Sequence, residues 1–72
     1  MANLYIVVER NEEEVQVVVV ADEQRALSRV RDRRDSYVAD SVASPQFTHD
    51  DPSHVYDSSA GWELWCEESL VL

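Results

Sequence analysis

Apolar side chains along this chain follow two different periods, and the change of period separates strands from a helix. Leu4-Tyr5-Ile6-Val7-Val8 is an unbroken β-branched and aromatic run, which suits a strand. Arg10-Asn11-Glu12-Glu13 then reads as a turn, with Asn11 the residue best able to tolerate left-handed dihedrals. Glu14 to Ala21 is expected to be a second strand, with Val15, Val17, Val19 and Ala21 on one face and Gln16, Val18 and Val20 on the other. Both faces of its C-terminal half are apolar, which predicts a central strand covered on both sides. The two strands form a hairpin.

Beyond Ala21 the spacing becomes helical. Asp22 is a good N-cap, and Glu23 places negative charge beside the positive end of the helix dipole. Ala26, Leu27 and Val30 share one helical face, while Arg25, Arg29 and Arg33 recur at every fourth position. The pattern predicts a helix from Glu23 to about Arg34. Two continuations compete: the helix runs on, with Tyr37 and Val38 on the same apolar face and Arg34 snorkelling from mid-stripe, or a short strand forms over Tyr37 to Val42.

Pro45 closes that segment, and residues 44–61 are rich in proline, serine and aspartate. They read as a long polar loop with a short ordered piece at His54-Val55-Tyr56, and long uninterrupted loops are often functional. The last strand is Trp62 to Glu67, alternating Trp62, Leu64 and Cys66 inward with Glu63, Trp65 and Glu67 outward. Leu70-Val71-Leu72 is expected to continue that strand or pack as a tail. Together these elements make one α+β domain over residues 1–72. Its small antiparallel sheet of three or four strands packs with one main helix in ββα…β order.

Size narrows the function classes. A chain of 72 residues buries only about 60% of its unfolded surface, so its core is thin. A cleft of roughly 300 Å3 or more, the usual small-molecule site, is hard to enclose in such a domain. Catalysis is therefore not expected, and neither is a cofactor. Hydrophobic residues still make up 44% of the chain, and Val17 to Val20 with Trp62 and Trp65 argue for a folded domain over an acidic tail. Cys66 is the only cysteine, so no internal disulfide forms and a reducing, cytoplasmic setting is expected. Residues 1–20 lack the features of a secretory signal, and no run approaches the roughly 20 apolar residues of a membrane span.

Charge changes the picture most. The formal net charge is -9, from fifteen acids against six bases, and all six bases are arginine. One explanation is a GC-rich or salt-adapted source. The other is a partner whose natural ligand is a polyanion, because a fixed negative surface competes for a groove built to hold phosphates.

Several constellations have ordinary explanations. His49-Asp50-Asp51-Pro52-Ser53-His54 holds metal-ligand residue types, but its spacing matches no strong metal motif and reads as a solvated loop. A Cys66 nucleophile aided by His49 or His54 is formally conceivable, yet Cys66 shares its face with Trp62 and Leu64 and reads as a small buried hydrophobe. Gly61 is the only glycine, which excludes a glycine-rich phosphate loop. The helix arginines have acids within one turn (Asp22, Asp32 and Asp35) and read as a solvated face laced with ion pairs. Direct nucleic-acid contact would oppose the net charge.

The acids themselves form suggestive sets. Glu12-Glu13-Glu14 lie at the hairpin tip, Asp50-Asp51 in the long segment, and Glu63, Glu67 and Glu68 on the last strand. Alternate strand side chains project about 7 Å apart, comparable to a row of backbone phosphates. Trp65 lies between Glu63 and Glu67 on one side, and tryptophan is enriched among binding anchors. In the competing reading the sheet is covered on both faces and Trp65 is core.

The layout of Leu4–Val8, Val15–Ala21, Asp22 with the Ala26-containing helix, and a terminal Trp62–Glu67 strand resembles compact α+β proteins of phages and mobile elements. In size, charge and layout it is similar to small anti-CRISPR inhibitors, and more distantly to phage DNA-mimic anti-restriction proteins. The resemblance implies a protein of the host cytoplasm that binds a CRISPR effector complex and stops it engaging or cutting DNA. Glu12, Glu13, Glu14, Asp50, Asp51, Glu63, Trp65, Glu67 and Glu68 are the candidate contacts with a basic nucleic-acid-binding groove. The alternative is an acidic, salt-adapted adaptor or antitoxin-like protein that associates through the Val-rich sheet edge, as a homodimer among other modes.

Overall fold

The computed structural model describes residues 4–42 and 44–69. Its elements are β1 (Leu4–Arg10), β2 (Val15–Val20), α1 (Glu23–Asp40), β3 (His49–Asp51), β4 (His54–Asp57) and β5 (Trp62–Ser69). The fold is α+β, with five strands where three or four were expected. They form one antiparallel sheet in the order β2-β1-β5-β4-β3, with α1 against one face. The expected tail at Leu70–Leu72 lies outside the described residues.

Each local signal has a visible cause. Asn11 shapes the first turn with its side chain: Oδ1 accepts from the backbone N–H of Glu13 at 2.8 Å and of Glu14 at 2.9 Å. No left-handed asparagine is used, since Gly61 is the only described residue with positive φ, at 65°. Asp22 caps α1 by accepting from the Arg25 N–H at 2.8 Å. Of the two continuations beyond Arg34, the helix prevails. It runs to Asp40 because the Tyr37 ring stacks on Trp62, with centroids 3.8 Å apart and planes within 4°. Ser41 ends it, its Oγ donating to the Tyr37 carbonyl at 2.6 Å.

Residues 44–61, expected as a long loop with order at His54–Tyr56, hold the β3–β4 hairpin. β4 pairs Val55 with Leu64 and Asp57 with Trp62. A larger correction concerns β2, which is an edge strand and not a covered central one. β5 occupies the other side of β1, with Val7 opposite Cys66 and Val8 opposite Trp65. Apolar residues on both faces of a strand do not specify how many neighbours it has.

Register sorts side chains onto two faces. Tyr5, Val7, Glu9, Val18, Val20, Val55, Asp57, Trp62, Leu64 and Cys66 share the face that α1 covers. The core is there, built from Val7, Ala26, Val30, Val55, Trp62 and Leu64, all nearly inaccessible. The opposite face carries no helix. Leu4, Ile6, Val8, Val15, Val17, Val19, Glu63, Trp65 and Glu67 lie on it.

Candidate interaction surface

The uncovered sheet face carries four of the nine nominated residues, Asp51, Glu63, Trp65 and Glu67. Its centre is the row Val17–Val8–Trp65–His54, one residue from each of four adjacent strands. Val8 is only 6% exposed despite lacking a helix above it, because Val17 and Trp65 flank it. Trp65 is half-buried, with the Arg10 guanidinium over its ring at 5.7 Å from the centroid. The indole is neither sealed in the core nor free in solvent. It is a half-buried aromatic platform.

Glu63, next along the strand on this face, is already engaged. Arg10 Nη2 approaches its Oε1 at 2.7 Å and His54 Nε2 its Oε2 at 2.6 Å. Burial alone would push this carboxyl up, but the His54 and Arg10 contacts outweigh it and hold it below the usual range. Asp51 joins the same face from β3, 3.4 Å from His49 Nε2. The His49 and His54 rings lie 4.9 Å apart. Glu67 is exposed.

The remaining nominated acids divide. Glu12, Glu13 and Glu14 are exposed at the β1–β2 tip, beyond the end of the Arg10–Glu63 pair. Register places Asp50 beside Val55 on the opposite side, where Arg34 grips it through two hydrogen bonds at 2.7 and 2.8 Å. That contact holds the Asp50 carboxyl below its ordinary value. Glu68 also faces the helix side and accepts from the Tyr5 hydroxyl at 3.4 Å. The structure therefore brings together Asp51, Glu63, Trp65 and Glu67, sets Glu12–Glu14 at one end, and turns Asp50 and Glu68 away.

Other candidate chemistry disperses in the same manner. Asp50 parts from His49, Asp51 and His54, and among the described residues no group of three or more His, Cys, Asp or Glu is placed to hold a metal. Burial pushes the Cys66 thiol up, with Glu23 adding to it, as suits a small hydrophobe more than a nucleophile. Arg33 is taken by Glu9, Arg34 by Asp50, Arg25 by Asp22 and Arg31 by Asp32. The arginine stripe is thus laced with acids, and its outer side carries near-balanced charge. The acid excess is most pronounced at the hairpin tip, where Glu12–Glu14 face no basic side chain within ion-pair distance among the described residues.

One part of this surface is not legible in the sequence. The Arg10–Glu63–His54 chain joins residues on three strands, and only the β1–β5 and β4–β5 registers reveal it. The exposure of Val15, Val17 and Val19 on β2 differs from the covered central strand that the apolar pattern predicts, and agrees with the Val-rich edge of the alternative reading. No helix of the described residues is long and apolar enough to cross a membrane. Compared with known proteins, the chain matches no family model, no curated protein and no solved structure.

Proposed function

We propose that this protein is a non-catalytic binding module that docks its uncovered sheet face onto a basic nucleic-acid-binding groove of a protein complex. The CRISPR effector is the class of complex that its layout suggests. The observation that supports this most is the half-buried Trp65 at the centre of a face with no helix over it, flanked by Glu67 and Glu63. An aromatic platform of this kind supplies contact area at small entropic cost, because it has only two side-chain torsions to fix and already lies against Arg10 and opposite Val8. Glu67, Asp51 and the tip acids supply the charge that a phosphate-binding groove attracts. Asp50 and Glu68 take no part. Inhibition follows from occupancy, since the groove cannot hold DNA and this domain together.

The test is competition in a gel-shift assay between the wild-type domain and target DNA for a purified effector complex. Trp65→Ala and Glu67→Lys should each weaken competition at least about tenfold while leaving the circular dichroism spectrum unchanged. Wild-type competition by both variants would rule this face out. Association through the β2 edge, as an adaptor would use it, has its own support in the exposed valines.

A further inference from the structure

The sheet ends in two unlike edges. β3 closes one side with three residues, His49-Asp50-Asp51, all polar and all exposed. Short, charged edges of this kind resist pairing with another chain. β2 closes the other side with six residues, Val15–Val20, and carries no charge and no proline. Its register with β1 runs unbroken from Val15 opposite Arg10 to Val20 opposite Tyr5, so no bulge bends it away. Val15, Val17 and Val19 are 62%, 56% and 59% exposed on the uncovered face. Every device that protects a sheet edge is missing here.

We infer that β2 is the pairing edge for a second copy of this chain, joined antiparallel about a two-fold axis through Val17. Register requires paired residues to lie on the same face, so Val17 sits opposite itself and Val15 opposite Val19 of the second copy. The three exposed valines of each copy then form one continuous apolar strip. Closure favours a second copy over an open array. A two-fold contact consumes both unprotected edges and leaves the charged β3 edges outermost, whereas β2-to-β3 stacking would propagate without end.

Charge fits the same axis. Each hairpin tip, with Glu13 and Glu14, comes alongside the start of α1 in the other copy. The groove beside Val18 and Val20 there is lined by Arg25 and Arg29 together with Asp22 and Asp32, and Asp22 already pairs with Arg25. Arg29 makes no ion pair within 4 Å among the described residues, unlike the other five arginines. The acids that one copy leaves unneutralised thus approach Arg29 of the other, which makes no close ion pair in its own chain, although its charge acts on Glu9.

Sedimentation equilibrium tests the pairing. The wild-type chain should show twice its 8.3 kDa mass at high micromolar concentration. Val17→Lys places two ammonium groups across the axis and should weaken dimerisation about 100-fold, as should Val17→Glu. Mixing the two variants should restore a dimer, because position 17 then meets its opposite charge. Val17 is more than half exposed, so both variants should keep the wild-type circular dichroism. A wild-type chain that stays monomeric overturns the pairing, and so does a mass that climbs without limit. A mixture of folded variants that stays monomeric overturns the axis. Trp65→Ala should leave the dimer mass unchanged, which separates failure of this pairing from failure of the docking proposed above.

Discussion

At the scale of single residues, one polar network inside the helix-covered face governs how the domain responds to pH. Trp62 donates its indole N–H to Glu9 at 3.0 Å, and Arg33 grips the same carboxylate at 2.8 and 3.1 Å. The Arg33 hydrogen bonds, seconded by Trp62, hold Glu9 below its ordinary 4.5 against the opposing effect of burial. Asp57 is likewise depressed, first by the Ser59 hydroxyl and then by Tyr37. A depressed carboxyl leaves the unfolded chain binding more protons as pH falls, so its stabilisation is complete above the unfolded value and disappears on acidification through the folded one. Tyr37 acts in the opposite direction: burial and the Asp57 carboxylate raise its phenol from 10.0 to about 12. Its contribution is complete below 10 and is lost as pH climbs through 12. Urea midpoints should therefore be level from about pH 6 to 9 and fall on both sides. Glu9→Gln should lower the plateau and flatten the acid limb, and Tyr37→Phe should shrink the alkaline limb. An acid limb unchanged in Glu9→Gln would remove Glu9 from this account. The partners of Glu9 are not legible in the sequence, because Glu9 is separated from Arg33 by 24 positions and from Trp62 by 53.

At the scale of elements, several features that depend on near neighbours are legible in the sequence. The β1–β2 hairpin, the Asp22 cap and the alternation of Trp62 to Glu67 depend on neighbours a few residues apart, and the structure has all three. What depended on distant partners was not readable. Helix α1 extends past Arg34 because Tyr37 finds Trp62. β4 becomes a strand because Val55 and Asp57 meet Leu64 and Trp62. β3 pairs only with β4 and is fully exposed, so no hydrophobic pattern announces it. The β4–β5 turn does have a local signature in Gly61, whose φ of 65° is unfavourable for any residue with a Cβ. A Cβ there would also come within 3.2 Å of the Glu12 side chain, which is long enough to move aside. Backbone conformation is therefore the main cost. Gly61→Ala should destabilise by about 1 kcal/mol, and Gly61→Asn by less because asparagine tolerates left-handed dihedrals better. Equal losses for the two in urea unfolding would shift the cause from backbone to crowding.

At the scale of the whole molecule, the question is whether a charge of -9 is carried by the fold or strains it. Four of the six arginines are tied to acids outside their own turn or at the helix cap, through Arg10–Glu63, Arg33–Glu9, Arg34–Asp50 and Arg25–Asp22. These pairs reduce the repulsion between elements that pack together. The uncompensated acids project instead from the hairpin tip and the uncovered face. They are exposed to water there, where salt screens them over a Debye length of about 10 Å at 0.1 M. A domain arranged this way is folded before salt is added. Helical ellipticity should thus stay level from low millimolar to molar sodium chloride, while competition for a basic groove should weaken steadily as counterions screen Glu67 and the tip. A source-adapted acidic protein behaves in the reverse order, gaining ellipticity with salt because screening relieves repulsion within its fold. A large gain in ellipticity would therefore assign the acidity to the protein's own solvent and detach it from docking. Level ellipticity with falling affinity would tie those same carboxylates to a partner.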